Sequence, residues 1–266
     1  MSDGAAATAG TRASRRVLVT GASRGIGRAT AVAFAAAGDR VAIHHGRSRA
    51  EAEETLALLA GSGHVIVAGD LSDADQARRI ADDAVRGLGG LDVLVNNAAV
   101  GPSATNRHPL VGASYEAWQG AWRAMVDVDL IGTANLIFCV TRHLVEQGTG
   151  GAIVNVGSRG AFVGEPEHPA YAASKAGLHA LGQSLAVDLA PHGIAVSTVA
   201  PGFVATERQS TRLAGAAGDA IREQSPFGRV ATPEEVAAAI LYLASSDAQW
   251  ASGTILDLNG APHRRS

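Results

Sequence analysis

Short β-branched apolar runs alternate along this chain with alanine-rich stretches of helical composition, and that alternation leaves few folds open. Val17-Leu18-Val19-Thr20, Val41 to His44, His64 to Ala68, Asp92 to Val95, Ala152 to Val156, Ala195 to Val199 and Thr254 to Leu258 read as strands. Arg28 to Ala37, Arg49 to Ala60, Ser72 to about Leu88, Tyr115 to about Glu146, Ala170 to Ala190 and a stretch ending near Ser245 read as helices. Ser72 is expected to cap the third helix, with Asp75 three residues on. Thr232-Pro233-Glu234-Glu235 starts the last one with a Thr cap, a Pro in the first turn and Glu at the third position. Each strand is a continuous apolar run, so both its faces are covered. With right-handed crossovers the expectation is an α/β fold: a single-domain, doubly wound parallel sheet of about seven strands, Rossmann-type, with helices on both faces. Such units use nearly all of the 266 residues. Residues 16–262 are therefore expected to form one domain behind a disordered tail, 1–15.

Composition removes several classes of function. Net charge is -3 and no long basic run occurs, so no nucleic-acid partner is expected. Aromatics are 4% of residues, too few for a base-stacking surface. One cysteine, Cys139, excludes an intrachain disulfide and a cysteine-based metal site. None of the nine histidines forms H-E-x-x-H, and His44 and His45, adjacent on a strand, face opposite ways, so no metal is expected. No stretch approaches the ~18 apolar residues of a membrane span, and the N-terminus lacks an apolar export signal. The expectation is a cytoplasmic protein without a membrane partner.

Thr20-Gly21-Ala22-Ser23-Arg24-Gly25-Ile26-Gly27 joins the first strand to the first helix. Glycines here let the backbone approach a pyrophosphate, which then sits on the free N–H groups of the helix N-terminus. The spacing is G-x-x-x-G-x-G rather than G-x-G-x-x-G. A carboxylate about 20 residues on would bind an adenosine 2′-hydroxyl. The second strand instead ends His44-His45-Gly46-Arg47-Ser48, with no acid and with Arg24 and Arg47 available. A 2′-phosphate needs cations, so NADP(H) is expected in preference to NAD(H).

Twenty-one of the 22 cationic residues are arginine; the single lysine is Lys175. It stands four residues after Tyr171, on the same helix face. An ammonium beside a phenol stabilises phenolate and brings its titration toward the working range. Y-x-x-x-K alone is common on solvent-facing helices. Here it follows a strand ending at Ser158, whose hydroxyl could donate to a substrate oxygen.

Taken together and in order, these motifs resemble the short-chain dehydrogenases/reductases over nearly all of residues 16–261. The likeness also rests on Asp70-Leu71, Asn96-Asn97-Ala98-Ala99, and Pro201-Gly202 followed by Thr206. The C-terminal part, Gly228-Arg229 through Pro233-Glu234-Glu235 to Gly253, looks most like the 3-oxoacyl-carrier-protein reductase branch. The resemblance implies that Tyr171 is the general acid in ketone reduction and the base in the reverse direction. Lys175 lowers its pKa and holds the nicotinamide ribose, while Ser158 positions the carbonyl. It implies that Gly21, Ser23, Arg24, Gly25, Ile26 and Gly27 follow the phosphates, with Arg47 and Ser48 beside the adenosine ribose. Asp70 and Leu71 lie by the adenine, Asn97, Ala98 and Ala99 along the ribose, and Pro201, Gly202, Val204 and Thr206 at the nicotinamide.

Three departures stand out. The family asparagine of V-N-L-x-G is Asp129 in Val128-Asp129-Leu130-Ile131-Gly132, a fourth catalytic candidate with a carboxylate in place of an amide. Ala99 replaces a usual glycine. The stretch from Ala99 to Asp129 is longer than in compact members; residues 100–114 of it are irregular, and Gly101-Pro102-Ser103 and Asn106-Arg107-His108-Pro109 are expected to rim the substrate pocket. A second irregular stretch, 205–224, is expected to be a mobile, partly helical lid. His168, Glu165 and Glu167 could touch substrate, though solvent-facing roles are the plainer expectation, and Trp118 and Trp122 are expected to pack on the long helix. The resemblance implies a homotetramer, with Trp250 at one interface. It also implies an NADP(H)-dependent oxidoreductase acting on a small ketone or secondary alcohol, such as a 3-oxoacyl thioester. The alternatives are an NAD-linked alcohol dehydrogenase and a catalytically silent dinucleotide-binding regulator.

Overall fold

Val17, Leu18 and Val19 show why the strands are apolar throughout. Val17 and Val19 enter one buried layer with Phe34, Val41, Ile43 and Ile240, whereas Leu18 enters the opposite layer with Ile80, Leu94 and Leu136. The computed structural model describes residues 13–261. Its strands are β1 (Arg16–Val19), β2 (Arg40–His45), β3 (Val65–Ala68), β4 (Val93–Asn96), β5 (Gly151–Val156), β6 (Ile194–Pro201) and β7 (Ile255–Leu258). They form one sheet in the order β3-β2-β1-β4-β5-β6-β7, every pair parallel. Between β1 and β4 the winding reverses, which opens a crevice at the C-terminal strand ends.

The helices are α1 (Gly25–Ala36), α2 (Arg49–Leu58), α3 (Ala74–Leu88), α4 (Tyr115–Val126), α5 (Thr133–Gln147), α6 (Gly160–Val163), α7 (Pro169–Leu189), α8 (Gly215–Arg222) and α9 (Pro233–Leu243). α1 begins three residues before Arg28, directly on the glycine turn. The cap of α3 is Asp73, not Ser72: its carboxylate accepts the N–H groups of Asp75 (2.9 Å) and Gln76 (3.1 Å), and Ser72 donates to Asp70 instead. A carboxylate at this position suits the helix dipole better than a hydroxyl. Thr232 and Glu235 cap α9 reciprocally, as its sequence indicates.

Tyr115 to Gln147 is one helical run of 33 residues, but residues Asp127–Gly132 are wound as a π-helix. Contrary to the sequence reading, this run is long and apolar enough to cross a bilayer by length and composition. Its apolar residues have another use: Leu136, Ile137, Val140 and Leu144 are buried in the layer that covers the sheet. Gly132 lies so close to the Leu71 carbonyl that any side chain there would collide with it.

Residues 1–12 of the expected tail, and residue 262, lie outside the described residues. Arg15 is already part of the packing, before the expected boundary at residue 16. Its guanidinium forks onto the buried carboxylate of Asp39 (2.7 Å) and donates to the Ala244 carbonyl (2.6 Å).

Candidate active site

The ends of β1 to β6 and the start of α1 wall a cleft of about 750 Å³. Gly21 and Gly25 both have positive φ, +60° and +54°, which side chains rarely tolerate. Gly27 packs against the Gly21 carbonyl where a Cβ would collide, so α1 starts tightly on the turn. No side chain caps α1 and no acid stands in its first turn, which leaves its N–H groups for an external anion. Gly21, Ser23, Arg24, Gly25 and Ile26 line the cleft; Gly27 does not, and its place is in the packing beneath.

At the β2 end, Arg47 and Ser48 line the same cleft, opposite Asp70 and Leu71. Arg24 is loosely paired with Glu51 (3.8 Å), and Arg47 lowers the pKa of Asp70 after the larger effect of the Ser72 hydrogen bonds. Ser48 also caps α2, accepting the Glu51 N–H at 3.4 Å. His44, set aside in the sequence, belongs to this wall. Its Nδ1 faces the Gly21 N–H at 3.2 Å and its Nε2 the Gly69 carbonyl at 3.0 Å, so Nδ1 accepts and Nε2 carries the proton. Burial lowers its pKa to about 4, keeping the ring neutral. His45 is buried on the side of Arg49 and Glu53.

Asn97, Ala98 and Ala99 follow β4 along the cleft. The Asn97 amide is occupied with the protein itself, donating to the carbonyls of Thr20 (2.9 Å) and Gly21 (3.1 Å). It ties β4 to the glycine turn. Pro201, Gly202, Val204 and Thr206 close the opposite side.

Ser158, Tyr171 and Lys175 meet on the cleft wall. The Ser158 hydroxyl hydrogen-bonds the phenol and also accepts the Gly160 N–H at 3.0 Å. The Ser158 N–H donates to Nε2 of His179 at 3.3 Å, a support on α7 that no motif signals. Lys175 Nζ lies 5.8 Å from the phenol ring centroid and donates to the Val156 carbonyl at 2.9 Å. The phenol is nevertheless pushed up to about 12: burial is the largest cause, Asp129 and Glu165 add to it, and the Ser158 hydrogen bond and Arg208 oppose it. The net shift is the reverse of the lowering expected beside the lysine. The ammonium spends a hydrogen bond on a backbone carbonyl, and desolvation of the phenol is the larger effect.

Asp129 is 1% exposed and does not reach the cleft surface. The π-helical turn carries its carboxylate to the N–H of Val100, 2.7 Å from Oδ1. Oδ2 is buried without a hydrogen-bond partner. Burial holds its pKa above the usual carboxylate range against the attraction of Lys175.

The 100–114 stretch is fastened to α7. His108, fully buried, accepts the Ala170 N–H (3.1 Å) through Nε2, its backbone N–H donates to Glu167, and Arg107 pairs with Glu167. His168 is neither solvated nor on the cleft: it is buried with Nε2 on the Ser103 carbonyl at 3.0 Å. Glu165 lines the cleft. Trp118 and Trp122 pack on each other at 5.6 Å, with Trp118 edge-on to His108.

Comparison with known proteins gives the class first: the matches are oxidoreductases. A family model described as enoyl-(acyl carrier protein) reductase matches residues 21–261. A cis-4-hydroxycyclohexanecarboxylate dehydrogenase of Sinomonas cyclohexanicum is 38% identical over 253 residues, 93% of this chain and 96% of that protein. A 3-oxoacyl-[acyl-carrier-protein] reductase of Staphylococcus aureus is 33% identical over 252 residues, 92% of this chain and 97% of that one. The crystal structure of a short chain dehydrogenase from Burkholderia cenocepacia J2315 in complex with NADP superposes with a TM-score of 0.82 at 33% identity, covering 93% of this chain and 97% of that chain. The chain belongs to the short-chain dehydrogenases/reductases.

Proposed function

We propose that this protein is an NADP(H)-dependent oxidoreductase that moves a hydride between nicotinamide and the carbon of a small ketone or secondary alcohol. The observation that carries this is the meeting of Ser158, Tyr171 and Lys175 on one wall of the cleft that begins at the glycine turn. When bound, the nicotinamide supplies the hydride. The uncapped start of α1 and the two positive-φ glycines suit its pyrophosphate, and Arg24 and Arg47, with no acid at the β2 end, suit a 2′-phosphate.

Tyr171, protonated at neutral pH, gives its proton to the carbonyl oxygen as charge develops there. Ser158 donates a hydrogen bond to the same oxygen, and Lys175 stabilises the phenolate left behind. In the oxidative direction the phenolate is the base. The NADP-bound neighbour supports the cofactor, and the two dehydrogenase and reductase relatives both act on a carbon bearing a hydroxyl or carbonyl group. A 3-oxoacyl thioester is within this class of substrate.

Residues 16–262 act as one catalytic unit, placed in the cytoplasm where reduced nicotinamide is supplied. The unit is a subunit of a homotetramer. Ile131, Phe138 and Val145, exposed at seven-residue spacing, and Trp250, 99% exposed, are apolar surface for its contacts.

NADPH consumption with a panel of ketones tests the proposal. Tyr171→Phe is expected to slow turnover about 10²–10⁴-fold. Equal rates in mutant and wild type would favour the silent regulator, and tighter binding of NADH than NADPH the NAD-linked enzyme.

A further inference from the structure

Arg208 follows Thr206 on the segment leaving β6 and lines the cleft. The other arginines of the cleft are engaged. Arg24 pairs with Glu51, Arg47 lies by Asp70, and Arg159 and Arg212 each stack on the Phe203 ring with their guanidinium carbons 4.9 Å from its centre. Among the described residues Arg208 makes no hydrogen bond or ion pair. Glu165, Asp127 and Glu207 share its walls without pairing with it. Its guanidinium lies against Gly101 of the loop after β4, in the space a side chain there would take.

Arg208 also faces the chemistry. It opposes the rise in the Tyr171 pKa, and Tyr171 and Asp129 in turn favour its charge. Water reaches the guanidinium through the open cleft, yet the surrounding walls already make burial the largest influence on it. Filling the cleft with cofactor and substrate would remove that water. A guanidinium stripped of water with no anion is costly, whereas one meeting a two-oxygen anion recovers the loss through paired, charge-assisted hydrogen bonds.

We propose that Arg208 is the specificity-determining residue that selects oxo or hydroxy acids, gripping a substrate carboxylate a few bonds from the reacting carbon. This rests on the reductase function proposed above. The same chemistry could be met by a phosphate of the dinucleotide, so the test separates the two.

The test compares 3-oxobutanoate, 4-oxopentanoate and 5-oxohexanoate with their methyl esters, using NADPH, wild type and Arg208→Met. At least one acid is expected to exceed its ester about 100-fold in kcat/KM, and that ratio to fall toward one in Arg208→Met. Arg208→Lys is expected to restore only part of it, since an ammonium lacks the planar fork. The Kd of NADPH, followed by its fluorescence, is expected to move less than about three-fold.

Acids and esters used equally by the wild type overturn the proposal. So does a loss of NADPH affinity that accounts for the whole effect, which would assign Arg208 to the dinucleotide. Calorimetry of the acids against NADPH-saturated protein separates the two levels. Acids that bind the wild type but not Arg208→Met, with neither acid nor ester reduced, uphold the anion site and overturn the reductase function. Reduction without acid preference does the reverse, and no binding with no reduction overturns both.

Discussion

His44 gives the sharpest link between one side chain, stability and the cofactor turn. Its ring accepts from Gly21 and donates to Gly69, an arrangement open only to the neutral imidazole. Protonation would set an Nδ1–H against the Gly21 N–H, in a site 2% exposed. The folded pKa is therefore about 4 against 6.5 for the free group. Between those values the unfolded chain binds the proton and the folded chain does not, so stability rises with pH through this window and is lost as pH falls. At about 1.4 kcal/mol per pKa unit, the full difference is about 3 kcal/mol, most of it gone by pH 4.5. Urea unfolding at a series of pH values between 7 and 4.5 measures it, with His44→Asn as the reference. The asparagine keeps an acceptor for Gly21 but does not titrate, and it costs about 1–2 kcal/mol at pH 7 through the lost Gly69 bond and packing. His45 is lowered by burial as well and contributes in both proteins, so the difference between the two curves isolates His44. That difference should change by about 2.5 kcal/mol between pH 7 and 4.5 and reverse sign, the wild type being the more stable at pH 7 and the less stable at pH 4.5. Parallel curves would refute the neutral, two-bond role of His44.

Two further substitutions probe the surroundings of the phenol. Asp129→Asn removes a carboxylate that raises the pKa of both Tyr171 and Lys175, so the rate of alcohol oxidation, which needs phenolate, should rise at lower pH than in the wild type. Turnover itself should change by less than about ten-fold, because the general acid stays in place; an unmoved pH–rate curve would remove Asp129 from the machinery. His108→Ala takes away the acceptor at the first turn of α7 and a fully buried ring, and should cost about 2–3 kcal/mol in urea unfolding, with faster proteolysis within residues 100–114.

What the sequence made legible was local. The glycine turn could be read because the positive-φ demand of Gly21 and Gly25 and the start of α1 fall within a few residues of each other. Tyr171 and Lys175 share a helix face by their spacing alone. The strands stood out because burial on both faces leaves no polar alternation to blur them. By contrast, His44, His108, His179 and Arg208 act on partners 20 or more residues away in the chain, and no spacing rule reaches them. The cap of α3 was missed by one residue because Ser72 and Asp73 are both good caps and only geometry chooses between them. The π turn is not visible in the sequence because Asp127 to Gly132 fits ordinary helical periodicity; it ends at Gly132, which packs closely on the Leu71 carbonyl.

The phenol pKa shows where local reading stops. Spacing places one ammonium near Tyr171, and from that alone a lowered pKa follows. The folded site adds the opposing effects: desolvation, Asp129 and Glu165 push up, and Ser158 and Arg208 push down. The balance lies at about 12, so the phenol stays protonated at neutral pH, the state the proposed reduction asks of its proton donor. Of the charged groups in that balance, Asp129 is sealed behind Val100 while Arg208 stands in the open cleft. A substrate that pairs with Arg208 neutralises the cation that restrains the phenol, leaving Asp129 and Glu165 less opposed. In the proposed reaction, anion binding at Arg208 and retention of the Tyr171 proton would act in the same direction, favouring the protonated enzyme that reduction requires.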